Sequence, residues 1–324
     1  MKLASQILWI LCPFLLLGQV EQNRVVAENG DGIFSILRKQ GLDPVKYYEE
    51  FIELNQNNLK NGSELHLGRE YIIPYAADSY KNTAIEVSAK SNTEEPIFND
   101  ELVDISPKSS KLKNAVIYLI SGNNLNNTSS SISTVTDAIT LNLAEELMVH
   151  GAQVYLIKSD LKEKSKSSIE TSDQNTEGAM AEISQMRDYV EVINKKYLKH
   201  QGKYQRLLIT RVRNDDIKSK HCKVSVYHHN NSENGRSIAS NIQRIFKENS
   251  IKRKSFKEYT DVFADKNNLY LAKNALPAIT LIDIDKENKP TIDDAILVDS
   301  NQALLSNLIA SGVLIDYADL EIDK

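Results

Sequence analysis

The unbroken apolar run Ala115-Val116-Ile117-Tyr118-Leu119-Ile120 is the strongest constraint on how this chain folds. A strand with one wet face alternates apolar and polar side chains. A run without alternation suits a strand covered on both faces, as in sheets layered between helices. The segments that follow agree. Residues 134–150 place Ala138, Leu141, Ala144 and Met148 at helical spacing, with Glu145 among the polar positions. Gly151 stops that helix, and residues 153–157 form a second apolar strand. The polar stretch 158–176 reads as a surface loop and 179–199 as a long helix. Strands are expected at 206–212, 223–228 and 278–284, and helices at 237–246 and 301–315. Strands alternating with helices predict an α/β domain over residues 113–324, with a mostly parallel sheet flanked by helices.

Ahead of this domain the composition changes twice. Residues 76–112 are rich in Ser, Asn, Lys and Glu, and Pro96 and Pro107 interrupt them. They read as a flexible linker with one short ordered piece near 97–105. Residues 24–75 are patterned. Gly30-Asp31-Gly32 marks a turn, because glycine accepts backbone angles that other residues avoid. Ile33, Ile36 and Leu37 then form the apolar face of a short helix that Gly41 ends. Asp43-Pro44 opens a second helix, with Pro early in it, and Tyr47, Phe51 and Leu54 supply its stripe. Residues 55–58 are a polar loop. Leu59, Gly62, Leu65, Leu67, Tyr71 and Ile73 give a last turn and an extended segment closed by Pro74. The result is a small βααβ module of about fifty residues, near the lower limit for a self-standing core.

This order of residues resembles a LysM module, a small domain that binds N-acetylglucosamine-containing glycans such as peptidoglycan. The resemblance implies a glycan groove between the first turn and the loop after the second helix. Here it would be formed by Gly30, Asp31, Gly32, Ile33, Phe34, Asn55, Gln56 and Asn57. Without the resemblance, the same residues are the turns of a generic two-helix module.

Lys2 followed by the apolar stretch 7–17 reads as a signal peptide over residues 1–18, too short to span a bilayer. Cys12, between Leu11 and Pro13, does not suit lipid attachment. Cleavage would leave Cys222 as the one cysteine, so no intrachain disulfide is expected. No transmembrane span is expected in the mature chain. The formal net charge of −5 and the short basic clusters, such as 252–254, lack the electropositive footprint of a nucleic-acid binder. The expected location is exported, in the periplasm or associated with the cell wall.

A second resemblance rests on the order of several short pieces. Leu143-Ala144-Glu145-Glu146-Leu147 is followed by Gly151-Ala152-Gln153-Val154. Met186-Arg187, Ile193-Asn194, Leu208-Ile209-Thr210 and Asn214 come next. Leu276-Pro277-Ala278-Ile279, then Ala310-Ser311-Gly312-Val313 with Tyr317, close the series. In this order they resemble the zinc-dependent N-acetylmuramoyl-L-alanine amidases, which cut the bond between muramic acid and the stem peptide. That family holds zinc with a His after the first strand, a Glu before the first helix and a His ending the third strand. A second Glu after the last strand is the general base. The matching positions here are Asn123, a stretch 129–138 whose only carboxylate is Asp137, Val212 and Ile282, with Asp283 one residue further on. Val and Ile cannot bind zinc, and Arg211 and Arg213 beside Val212 would repel a dication.

The expectation is therefore no catalytic residues, no metal and no cofactor. His221, Cys222, His228 and His229 are the other dense group of candidate ligands. Adjacent positions on a strand point to opposite faces, so they read as surface histidines and a lone thiol. The polar stretch 122–127 follows the first strand, where open α/β sheets bind ligands, and reads as a solvated turn or a hydrogen-bonding edge for sugar or peptide. The resulting reading is an exported peptidoglycan-binding protein. Its amidase-like domain would be a pseudoenzyme, a cell-wall scaffold or regulator contacting wall peptide or an envelope protein partner. The alternatives are an active or divergent amidase hydrolysing the muramoyl-L-alanine bond, and a purely structural envelope protein.

Overall fold

The computed structural model describes residues 23–76, 79–98, 107–122, 130–158, 174–213, 220–251, 263, 266–286 and 296–322. The expected signal peptide, Asn123, Asn214, residues 252–254 and most of the loop 158–176 lie outside them. The chain divides into two compact units, residues 1–77 and 78–324.

In the first unit, β1 (Arg24–Val26) pairs antiparallel with β2 (Glu70–Ile72), placing Val25 opposite Tyr71. Between them lie α1 (Ile33–Lys39) and α2 (Pro44–Asn55). Asp43 caps α2 by accepting from the amides of Val45 and Lys46, and Pro44 occupies the first turn, where its missing N–H costs nothing. Ile36, Leu37, Phe51 and Tyr71 are fully buried and form the centre of a small core.

The second unit is an eight-stranded sheet between two layers of helices. Its strands are β3 (Ala84–Ser88), β4 (Glu94–Pro96), β5 (Ala115–Ser121), β6 (Gln153–Lys158), β7 (Tyr204–Val212), β8 (His221–His228), β9 (Ala278–Lys286) and β10 (Ile296–Asp299). The spatial order is β10-β8-β9-β7-β5-β6-β3-β4. The pairs β3–β6, β6–β5, β5–β7 and β7–β9 are parallel, and β9–β8, β8–β10 and β3–β4 are antiparallel. One face carries α3 (Ser130–Val149), α5 (Glu233–Glu248) and α7 (Gln302–Ile322), and the other carries α4 (Gln174–Lys199) and α6 (Lys266–Asn274). Every residue of β5 is buried, with Ile117 and Leu119 on the first face and Val116, Tyr118 and Ile120 on the second. The mostly parallel, helix-flanked sheet is the expected one.

The linker expected at 76–112 is corrected. β3 lies within it and joins the sheet parallel to β6, with Ala84 and Val87 fully buried, and β4 extends the sheet further. A strand this short, with Glu86 at its centre, has too few apolar positions to reveal itself. Glu94, Glu95 and Pro96 leave the outermost strand charged and proline-blunted, which discourages pairing with another chain. Lys196, nearly buried, pairs with Glu94 and ties β4 to α4. Leu112 is also fully buried. β10 and α6 were not expected, and β8 runs antiparallel.

Helix α7 is long and apolar enough to cross a membrane by length and composition alone. Its apolar side is spent inside the unit instead: Leu305, Ile309 and Val313 are fully buried between α3 and α5.

Candidate functional site

The parallel strands β5, β7 and β9 end side by side, with Ser121 beside Thr210 and Thr210 beside Ile282. Alternation along the strands sorts their side chains onto two faces. On the α3 side, Ser121 Oγ donates to Asp137 Oδ1 at 2.6 Å, and the hydroxyls of Thr140 and Thr210 pair at 2.5 Å. Thr140 also donates to the Thr136 carbonyl. Val212 and Ile282 are on this side, sealed in the core. Gly122 lets the end of β5 lie directly against β7: a Cβ there would sit 2.8 Å from Arg211 Cβ and 2.9 Å from the Thr210 carbonyl.

On the α4 side, Asp283 is buried and held by two guanidinium groups. Arg211 donates to it through Nε at 3.2 Å and Nη2 at 3.1 Å, and Arg213 through Nε at 2.6 Å and also through Nη2. The hydrogen bond to Asp283 raises the Arg213 pKa further above its already high ordinary value. The Arg213 side chain is 50% exposed, and the carboxylate of Asp285 adds a second negative charge near it.

The resemblance to zinc amidases makes zinc the metal to test against these residues. Zinc needs three convergent nitrogen, sulfur or oxygen ligands. Two of the matching positions, Val212 and Ile282, are buried hydrocarbon. Asp137 accepts from Ser121, and Asp283 is neutralised by two arginines on the opposite face of the sheet. Among the described residues, no group of three His, Cys, Asp or Glu side chains is placed to hold a metal ion. These residues do not fit zinc.

The histidine and cysteine group is also corrected in part. His228 is buried, not on the surface, with its Nδ1 3.0 Å from the His229 carbonyl. Cys222 is fully buried, and burial pushes its thiol up to about 12, far from thiolate chemistry at neutral pH.

In the first unit, the residues expected to line a glycan groove divide by role. Gly30 holds the turn with φ +91°, and Gly32, Gln56 and Asn57 are exposed. Phe34 is 43% exposed, with its ring 5.3 Å from that of Tyr48. Ile33 is a core residue. Asp31 is an internal acceptor, bonded to the Glu28 amide, Ser35 Oγ and Lys39 Nζ. Burial alone would raise its pKa, but these hydrogen bonds outweigh it and lower the value. Asn55 is only 2% exposed. Its amide donates to the carbonyls of Phe51 and Ile72, and its oxygen accepts from the Ile72 amide at 2.7 Å. Asn55 thus stitches the end of α2 to β2, and its buried side chain is closed to a ligand. The residues left to face a ligand are Gly30, Gly32, Phe34, Gln56 and Asn57.

No protein-family model matches the sequence, and no curated protein sequence matches it. Among solved structures, the chain is similar to the CwlD amidase from Clostridioides difficile in complex with the GerS lipoprotein, at 17% identity and TM-score 0.38, covering 64% of this chain and 99% of that one. It is similar to the catalytic domain of the CD27L endolysin targeting Clostridia difficile, at 15% identity and TM-score 0.40, covering 62% and 97%. It is also similar to a metallo-carboxypeptidase from Pseudomonas aeruginosa, at 11% identity and TM-score 0.38, covering 78% and 72%. Likeness at this level, spread over different activities, leaves the functional assignment to the residues.

Proposed function

We propose that this chain is an exported, cell-wall-associated binding protein. In this reading the first unit is a LysM-like module that holds peptidoglycan or another N-acetylglucosamine glycan through its exposed turns. The second unit is an amidase-like domain without the amidase reaction, serving as a wall scaffold or regulator toward wall peptide or an envelope protein. The observation that carries the reading is the end of the parallel sheet. Hydrocarbon fills one ligand position and the general-base position there, and two arginines occupy the nearest buried carboxylate.

The test is digestion of purified peptidoglycan by the mature protein with added zinc, scored by new L-alanine amino termini and by co-sedimentation with the wall. Sedimentation without release is expected, and Phe34→Ala with Asn57→Ala should reduce it while leaving the fold intact. Release that a chelator abolishes would overturn the non-catalytic reading and make the chain an amidase. Undiminished sedimentation of the double variant would move the glycan site away from these turns.

A further inference from the structure

Helices α4 and α6 end close together, where the chain turns into β7 and β9. Asn194 joins them. Its Nδ2 donates to the Asn274 carbonyl at 2.9 Å, and its Oδ1 accepts from the Leu276 amide at 2.8 Å. Leu198 lies one turn beyond Asn194 on α4, on nearly the same side of the helix. Leu198 and Leu276 both face water, at 54% and 51% exposure.

Four exposed lysines surround the leucines. Lys195 and Lys199 flank Leu198 on α4, Lys273 is in the last turn of α6, and Lys203 precedes β7. Lys203 and Leu276 border one cavity, which fixes their nearness. None of the four forms a salt bridge among the described residues. Of the carboxylates in this region, Glu94 pairs with the buried Lys196. Glu321 borders the same cavity and accepts from the Tyr317 hydroxyl at 2.6 Å, and Glu191 stands one turn before Lys195. Four lysines against Glu191 and Glu321 leave the patch positive, on a chain whose formal net charge is −5. The dipole of a helix attracts lysine to its C-terminus, which accounts for Lys199 and Lys273 but not for the leucines beside them.

We propose that this patch seats the second unit on an anionic lipid surface, with the leucines entering the boundary between headgroups and acyl chains and the lysines meeting lipid phosphates. Exposed apolar side chains ringed by cations match both layers of such a surface at once. A protein partner is the poorer match, because protein interfaces are depleted in lysine. The site is independent of the proposed function, since it uses neither the glycan turns nor the end of the sheet where the amidase resemblance places chemistry.

The full mature chain would be pelleted with vesicles of phosphatidylcholine alone and with vesicles in which about one third of the lipid is phosphatidylglycerol. The anionic vesicles should bind about tenfold or more of what the neutral ones do, and added salt should reduce the difference. Lys199→Ala with Lys203→Ala should lower binding to the anionic vesicles about tenfold. Leu198→Ser with Leu276→Ser should lower it several-fold. All four positions are exposed, so thermal unfolding should be unchanged in both variants. No pelleting, or equal pelleting with both lipids, would overturn the proposal. Loss in the lysine variant with none in the leucine variant would also overturn it, because the patch would then answer to any polyanion and not to a bilayer. If the leucine variant instead dissociates a dimer found by sedimentation without vesicles, and its vesicle binding is unchanged, the patch is an interface between copies of the chain and the proposal falls.

Discussion

Strand β7 carries an arginine–aspartate cluster at each end, and the two are built in opposite ways. At its start, Arg206 and Asp316 are both sealed from water, one carboxylate takes four donors, and one guanidinium nitrogen is left unmet. At its end, Asp283 is shared by Arg211 and Arg213, and the guanidinium of Arg213 is half in solvent, near Asp285. The step along the strand from Arg206 to Arg211 is odd, so they lie on opposite faces of the sheet. The lesson is where water is available. Charge at the exposed cluster is partly hydrated and faces the carboxylates of Asp283 and Asp285, whereas the buried cluster must balance its charge with no help from water.

Removing each carboxylate tests the contrast. Asp316→Ala leaves Arg206 buried without its counter-charge and should cost about 3–5 kcal/mol, measured by urea unfolding of the second unit. Asp283→Ala frees two guanidiniums, one of which is already half hydrated. It should cost less, about 1–3 kcal/mol, the scale of lost hydrogen bonds to a charged group. Equal losses would mean that water reaches both clusters alike, and the contrast would fail.

The framework was legible because parallel strands buried on both faces advertise themselves. The run 115–120 and the alternation of strands and helices after it predict the central sheet and its helical layers. β3 was not legible: Ala84 and Val87 are its only fully buried residues, and what orders it is the neighbouring β6, supplied far along the chain. The antiparallel course of β8 leaves no mark in composition either. At the candidate site, Val212 and Ile282 could be read directly as residues unable to bind zinc, and Arg211 and Arg213 as its electrostatic opponents. The pairing of both arginines with Asp283 is a tertiary fact. Asn55 shows the limit most clearly. A polar residue at a helix end resembles a ligand contact, and only the return of β2, with Ile72 seventeen residues later, turns it into a clamp. Arg206 and Asp316 are 110 residues apart, so no local pattern announces them.

The start of β7 should also be the more acid-sensitive end. His200 Nε2 lies 2.8 Å from the Tyr155 hydroxyl, and the His200 carbonyl accepts from Gln205. Burial, then the nearby Lys203, Lys199 and Lys196, lower its pKa from the ordinary 6.5 to about 4. The unfolded chain therefore takes up this proton first. The stability contributed by the neutral ring is complete above pH 6.5 and is lost as pH falls towards 4. The imidazole is only half buried, so screening keeps the effect below that of either carboxylate removal. Hydrogen-exchange protection at residues 203–205, taken relative to the intrinsic rate at each pH, should fall over this range while that at 211–213 changes less, and His200→Gln should flatten the difference. Equal loss of protection at both ends would make β7 one cooperative unit and remove the contrast.

The smallest effect separates the two arginines at the end of the strand. Arg211 is 15% exposed and keeps two hydrogen bonds to Asp283 when Arg213 is absent. Removing the half-exposed partner then takes away charge that water already screens, so Arg213→Ala should change stability by about 0–1 kcal/mol. Arg211→Ala should cost more, because Asp283 would be left to a side chain that must stay out of solvent to hold it. If Arg213→Ala proves the more damaging of the two, its charge is not surplus. Asp283 would then need both guanidiniums to remain buried, and this end of the strand would depend on its full set of charges as the buried end does.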